Sequence, residues 1–503
     1  NPLPLECGYA SYKGLTRKAS CERMKSSISF LLGGRVKTLN TFDPNLTVLE
    51  YLRVEQRLCG TKEGCAEGDC GACTVVVGDL DGESIRYRAV NSCLVFLGSL
   101  DGKQLITVED LKSGACKLHP VQSSMVDLHG SQCGFCTPGF IMSLFALYKS
   151  EPTPTMESTE DALVGNLCRC TGYRTILDAA REMVVRRSPD FFSEQELETV
   201  KLLKSMRSEE TIELSSAKGR FYIPRSVQEL CRLRQEHPDG YLLAGGTDLG
   251  LQVTKQRKKL DPIICLSDVS ELKKVVESDS EVRIGSAVTY TDALAVLEKH
   301  FPAFAQLVLR LGSRQIRNLG TIGGNLANAS PIGDSPPALL ALDAEVNLCS
   351  ANGSRTVPLS EFFVGYRQTN MKADEILESI RVPLLKADEI FKTYKISKRF
   401  DQDISTLCAG IRVSLEGGRV SSVRVAFGGM AATPARASLC EKALEGKPWN
   451  EEQVCAAAEF LDQDFQPMTD FRGSARYRSL VAKNLLRKFF LESGTPGMQT
   501  GVL

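Results

Sequence analysis

The chain has 503 residues, more than one hydrophobic core organises, so three or four domains are expected. Lys+Arg and Asp+Glu balance at 61 each, which gives no reason to expect nucleic acid or an anionic membrane as a partner. Hydrophobic content of 43% and charged content of 24% describe an ordinary globular protein, and no apolar run approaches the roughly 18 residues of a membrane span.

Eighteen cysteines are many. A secreted disulfide scaffold fits poorly, because the informative cysteines stand in tight pairs amid glycines, and close spacing favours a metal or cluster site. The compartment is therefore read as reducing and cytoplasmic. Only His119, His129, His237 and His300 are present, none at paired ligand spacing, which argues against a zinc hydrolase and leaves the histidines structural.

Residues 1–23 show no steady period and are read as a disordered extension, with Met24 starting the fold. Ile28 to Leu32, the Gly33-Gly34 turn and Val36 to Leu39 read as a β-hairpin. A short helix carrying Val48, Leu49 and Leu52 follows. Then comes Cys65-x4-Cys70-x2-Cys73, the plant-type ferredoxin spacing for a [2Fe–2S] cluster, with Cys93 as the fourth ligand. Gly64, Gly68 and Gly71 allow positive φ and close backbone approach to the sulfurs. Thr74 to Gly78 reads as a buried strand. The element order is β-grasp-like.

From residue 109 to about 185 the pattern turns helical. Cys133-x2-Cys136 and Cys168-x-Cys170 fall at helix ends, where N-termini favour anionic sulfur. For these eight cysteines the competing reading is buried or zinc-binding thiols. Cys59, Cys116, Cys231 and Cys408 read as small buried hydrophobes, and Cys7 and Cys21 as lying outside the fold. Residues 186–220 are charged and read as a linker containing a helix.

Residues 221–388 read as α/β. A short strand ends in Ala244, Gly245, Gly246, Thr247 and Asp248, and a second glycine loop carries Thr321, Gly323, Gly324 and Asn325. A strand followed by a glycine pair is a place where backbone N–H groups meet phosphate; the first loop alone would equally serve as a plain turn. G-x-G-x-x-G is lacking, so a Rossmann nicotinamide fold is not expected. Residues 389–497 read as a last α+β domain, with Trp449 given a packing role.

Taken together, GCAEGDCGACTV (64–75), QCGFCTPG (132–139), LCRCTGYR (167–174), LLAGGTDL (242–249) and TIGGNLANASPIGDSPP (321–337) resemble the small iron–sulfur and FAD-carrying subunits of bacterial two-subunit xanthine dehydrogenases, within the molybdenum hydroxylases. The resemblance runs from about Ile28 to Leu491. It implies a multidomain α+β fold. Its parts are a β-grasp [2Fe-2S] ferredoxin domain (24–108), a four-helix [2Fe-2S] domain (109–185), an α/β FAD-binding domain of the PCMH type (221–388) and a CO dehydrogenase flavoprotein-like C-terminal domain (389–497). It implies two [2Fe-2S] clusters, on Cys65, Cys70, Cys73 and Cys93 and on Cys133, Cys136, Cys168 and Cys170. FAD is implied at Ala244 to Asp248, Thr321 to Asn325, Asp334 and Lys395. Gln132 matches a position beside the molybdopterin, and Arg399 and Asp403 match a loop near the flavin ring. The implied partner is a large molybdopterin-binding subunit in an α2β2 heterotetramer. Electrons would run from xanthine or hypoxanthine to NAD+ in purine catabolism, with no catalytic residue on this chain. Two alternatives remain: a molybdenum hydroxylase for aldehydes or N-heterocycles, or a non-catalytic electron-transfer or redox-sensing flavoprotein.

Overall fold

The computed structural model of the chain describes residues 25–112 and 117–494. The expectations placed on residues 1–23, on Met24, and on Cys7, Cys21 and Cys116 lie outside the described residues.

Strands β1 (Ile28–Leu32), β2 (Arg35–Leu39), β3 (Thr74–Asp81), β4 (Ser84–Asn91) and β5 (Gln104–Ile106) form one sheet in the order β2-β1-β5-β3-β4. β1 pairs antiparallel with β2 and parallel with β5. Gly33 and Gly34 turn the first hairpin at φ +60° and +69°, the conformation of a two-residue I′ loop. All five residues of β1 are buried, because the sheet is covered on both faces. Alternate side chains of a strand leave on opposite sides. Ile28, Phe30 and Leu32 enter a core shared with Ile212, Phe221 and Ile263 of a later sheet. Leu31, Val76 and Ala89 enter a core shared with the helices that follow.

After α1 (Val48–Glu50) and its π-helical continuation Tyr51–Glu55 come α2 (Pro120–Asp127), α3 (Thr137–Ser150), α4 (Met156–Leu163) and α5 (Arg174–Val185). Residues 139–148 of α3 are all buried. A helix apolar on every side belongs at the centre, and α3 packs between the sheet and its three sister helices. His119 caps α2: its Nδ1 accepts the Val121 N–H at 3.2 Å, and its Nε2 lies 3.1 Å from Asp190 Oδ2.

The segment expected to be a linker contains its helix, Glu196–Met206, but it is no free tether. Thr199, Val200, Leu203 and Met206 are buried, and the last three join Tyr87 in the core under the sheet. Glu198, Lys201 and Lys204 face solvent, so the charge in the composition concealed an amphipathic helix. The segment then supplies Ile212–Ser216, the edge of a four-stranded sheet completed by Gly219–Ile223, Ile263–Cys265 and Tyr241–Leu243.

A five-stranded sheet runs in the order Val275–Glu277, Glu281–Gly285, Ile376–Pro383, Glu345–Ser350, Gly353–Pro358. The C-terminal sheet is Glu389–Ile396, Leu407–Glu416, Arg419–Gly428 and Ala435–Arg436. Helices including Glu451–Ala458 and Ala475–Gly494 share its core. Trp449 packs edge-on to Phe489 and Phe490, a packing role. Cys231 and Cys408 are buried as expected. Cys59 is not: it is exposed on the approach to the cysteine loop, where its carbonyl accepts from Lys62 Nζ at 2.6 Å. Among the described residues no helix is long and apolar enough to cross a membrane.

Candidate cofactor sites

The loop between α1 and β3 folds back on itself through positive φ at Ala66 (+56°), Gly68 (+86°) and Gly71 (+68°). Gly64 has another reason to be glycine: a Cβ there would stand 2.7 Å from Cys70 Sγ. The turns aim N–H groups at sulfur. Glu67 and Cys70 donate to Cys65 Sγ, and Cys65 donates to Cys70 Sγ, each at 3.4 Å. The hydrogen bond from Cys70, helped by the N–H groups of Glu67, Cys70 and Asp69 against the opposing effect of burial, holds the Cys65 thiol down to about 5. Cys73 Sγ and Cys93 Sγ lie 3.3 Å apart, both buried. N–H donors round a thiolate are what an anionic iron–sulfur group needs, so the donor set fits.

In the helical domain Cys133 faces Cys170 and Cys136 faces Cys168. Cys136 immediately precedes α3. Cys168 Sγ accepts the Thr171 N–H at 3.5 Å, and the Cys168 N–H donates to Tyr173 Oη at 3.0 Å. Cys133, Cys170 and Gln132 are exposed, in a stretch where Phe135, Leu167 and Tyr173 are exposed too. Among the described residues no three His, Cys, Asp or Glu side chains gather as a single ion requires. Each set stands as two facing thiol pairs, Cys65 with Cys70 and Cys73 with Cys93 in the first, Cys133 with Cys170 and Cys136 with Cys168 in the second.

The two loops touch. The Leu167 N–H, beside Cys168, donates to the carbonyl oxygen of Cys70 at 3.0 Å. Asn166 Nδ2 donates to the Gly71 carbonyl at 3.0 Å.

Both glycine loops line one cavity of about 540 Å³, within the range of cofactor pockets. Ala244 to Asp248 form one wall, and Thr321, Gly323, Gly324 and Asn325 another. The packing leaves no room for side chains. A Cβ on Gly245 would fall 1.8 Å from the Leu319 carbonyl oxygen, and one on Gly323 2.5 Å from Ser286 Cβ. Two polar atoms of the lining, Asn325 Oδ1 and Ser286 Oγ, are buried without a hydrogen-bond partner. Buried polar atoms are normally satisfied, so these two fit a polar ligand such as the flavin's phosphate and ribityl chain. Residues that the sequence reading missed also line the cavity: Ser286, Tyr290, Leu311, Ile316 and Ile376. Only Ser286 had a signal, as the residue after a readable strand end at Gly285. Asp334 and Lys395 are brought together, Nζ to Oδ2 at 2.7 Å, but neither forms part of the cavity wall. Arg399 and Asp403 close a small turn, the Arg399 N–H donating to Asp403 Oδ2 at 2.8 Å.

This cavity abuts the first cysteine set. A Cβ on Gly246 would fall 2.8 Å from the Leu94 carbonyl oxygen, and one on Gly250 would fall 3.1 Å from Leu94 Cα. Leu94 follows Cys93. Lys255 Nζ donates to the Cys65 carbonyl at 3.0 Å and pairs with Glu67 at 3.1 Å.

Four family profiles match in chain order. They are the 2Fe-2S iron-sulfur cluster binding domain at 35–97 and the [2Fe-2S] binding domain at 107–181. The FAD binding domain in molybdopterin dehydrogenase follows at 215–385, and the CO dehydrogenase flavoprotein C-terminal domain at 392–493. The chain is 33% identical to xanthine dehydrogenase of Emericella nidulans over 93% of its own length and 39% of the relative's. It is 35% identical to xanthine dehydrogenase 1 of Arabidopsis thaliana over 89% and 38%. It thus spans about two fifths of these relatives. Among solved structures, a chain of carbon monoxide dehydrogenase from Hydrogenophaga pseudoflava superposes with a TM-score of 0.51 at 31% identity, covering 53% of this chain and 94% of that one. A chain of quinoline 2-oxidoreductase from Pseudomonas putida 86 gives 0.50 at 26% identity, covering 55% and 97%. With two 2Fe-2S domains followed by the FAD-binding and flavoprotein C-terminal domains, the chain belongs to the molybdenum hydroxylase family, as its iron–sulfur and FAD-bearing part.

Proposed function

We propose that this chain is the electron-transfer subunit of a cytoplasmic xanthine dehydrogenase. Its two [2Fe-2S] groups carry single electrons from xanthine or hypoxanthine oxidised on a molybdopterin-binding partner subunit, and its FAD collects them for NAD+. Cys65, Cys70, Cys73 and Cys93 hold the first cluster, and Cys133, Cys136, Cys168 and Cys170 the second. The observation that carries the reading is the contiguity of the three sites. Leu167 N–H meets Cys70 C=O at 3.0 Å between the loops, and Leu94 packs against Gly246 and Gly250 between the first loop and the flavin cavity. Ala244 to Asp248 and Thr321 to Asn325 hold the flavin's polar chain by backbone approach. Asp334 and Lys395, a buried pair at 2.7 Å, belong to the same reading as flavin-contacting residues.

Two further observations support the finer points. The exposed Phe135, Leu167 and Tyr173 near the Cys133 and Cys170 thiols suit a face covered by the partner, in an α2β2 assembly. The xanthine dehydrogenases match along 89–93% of this chain, whereas the carbon monoxide dehydrogenase chain is accounted for by 53% of it. Fusion of cluster and flavin domains therefore favours xanthine over carbon monoxide or quinoline.

The test is to purify the chain with its partner and follow xanthine-dependent NADH formation. Activity on aldehydes or other N-heterocycles without xanthine would defeat the substrate assignment. Cys70→Ala should remove one of two [2Fe-2S] signals in electron paramagnetic resonance and leave the other; two intact signals would defeat the ligand assignment.

A further inference from the structure

We propose that one helical turn of the flavin domain, Arg314–Arg317, sets the position of the two cysteine loops relative to each other, with Gln315 as the positioning residue. The proposal rests on the two-cluster reading above.

Gln315 is fully buried. Its Nε2 donates to Asn166 Oδ1 and to Ser143 Oγ, each at 2.9 Å, and Ser143 Oγ donates to Asn166 Oδ1 at 2.6 Å. Asn166 then donates to the Gly71 carbonyl at 3.0 Å and to Thr74 Oγ1 at 3.3 Å. Gly71 lies between Cys70 and Cys73, Asn166 lies two residues before Cys168, and Ser143 is on α3, which Cys136 opens. One amide from a third domain therefore completes a network that grips both loops.

The backbones at this point have no slack. A Cβ on Gly71 would fall 2.2 Å from the Gly165 carbonyl oxygen, one on Gly139 2.2 Å from the Gly71 carbonyl oxygen, and one on Gly165 2.1 Å from Gln315 Oε1. The residues flanking Gln315 brace the turn. Arg314 pairs with Asp161 of α4 at 2.8 Å, and the buried Arg317 pairs with the same carboxylate. Ile316 packs with Cys73, Cys93 and Leu94 on one side and lines the flavin cavity. The Gln315 amide nitrogen links two of the domains directly, while Gln315 Oε1 and Arg317 Nε are buried without partners, so the constraint at this point comes from the donor side of the amide and from the close backbones.

The experiment uses the full chain with its partner, in the wild type, Gln315→Leu and Gln315→Met; both fill a similar volume and remove the donor. Dithionite-reduced wild type must show two [2Fe-2S] resonances; if it does not, the two-cluster reading fails, whatever the variants do. Both variants should retain both resonances at wild-type intensity, show an altered magnetic splitting between them, and exchange the Leu167 amide about tenfold faster. Wild-type splitting and exchange in Gln315→Leu overturn the proposal. Loss of a cluster in both glutamine variants also overturns it, because Gln315 would then be a folding residue only.

Discussion

Lys395 Nζ lies 2.7 Å from Asp334 Oδ2, with both side chains buried and 61 positions apart in sequence. Ser405 Oγ donates to the other carboxylate oxygen at 2.6 Å, and Lys395 Nζ also donates to the Arg310 carbonyl at 3.1 Å. The pair ties the helix Ser335–Ala341 to the first strand of the C-terminal sheet. Removing one partner leaves a buried charge uncompensated. Lys395→Met should therefore cost about 3–5 kcal/mol in urea unfolding, and Lys395→Met with Asp334→Asn should recover part of that loss. An unchanged midpoint in the single variant would count against a pair this deeply buried.

Gly245→Ala tests the flavin cavity apart from the clusters. The added Cβ would fall 1.8 Å from a backbone oxygen, that of Leu319, which cannot swing aside as a side chain can. The expected result is loss of bound flavin, read from the visible spectrum of the desalted protein, with iron content unchanged. Full flavin retention would place the cofactor elsewhere.

Leu203 is wholly buried on the helix Glu196–Met206, in the core with Tyr87 and the helical domain. Leu203→Ala should destabilise by about 2–5 kcal/mol. Thermal unfolding monitored by the loss of cluster absorbance measures it. A change near zero would mean that residues 186–220 tether the domains without docking.

Asp190 anchors the same segment. Burial alone would raise its carboxyl, but the hydrogen bond from His119, the Lys149 charge and the Ser193 N–H and hydroxyl outweigh it and hold the group well below the usual range. His119 is the donor, because its Nδ1 already accepts from Val121 and its Nε2 carries the proton. A folded-state value below the unfolded one adds stability above the ordinary aspartate value, about 3.9, and loses it as pH falls through the folded-state value. Asp190→Asn should thus lower the unfolding midpoint at pH 7 and flatten the acid-side loss of stability below about pH 4. A parallel downward shift at every pH would assign Asp190 a purely steric role.

Much of the chemistry was readable because it depends on local spacing. Cys65, Cys70 and Cys73 lie on one short loop, and its shape follows from Gly68 and Gly71, the residues that enter positive φ most easily. Gly245 and Gly323 were readable as glycine loops, but what forbids a side chain there is tertiary, the Leu319 carbonyl in one case and Ser286 in the other. Gln315, Asn166 and Ile316 were not readable. Gln315 and Ile316 are common residues on a short helix and Asn166 is one in a loop; the role of Gln315 arises from partners 149 and 172 residues away, and that of Asn166 from Gly71, 95 residues away, as well as from Gln315. Cys59 was misread as buried because composition ranks cysteine as a core residue, while its loop faces outward. The charged run at 186–220 reads as a linker containing a helix; that the helix docks through Val200, Leu203 and Met206 is a tertiary fact that composition does not display.

By itself the sequence determined the kinds of site: two four-cysteine sets, two glycine loops and the order of the domains that carry them. These are local properties, set by spacing along the backbone and by which residues tolerate a turn. Only the tertiary structure decided that the first sheet is buried on both faces, that Leu167 meets Cys70, and that Ile316 stands between the Cys73–Cys93 pair and the cavity lined by both glycine loops. Those relationships depend on which apolar faces find each other across domains, and burial of apolar surface is non-directional until the packing of the whole chain chooses the partners.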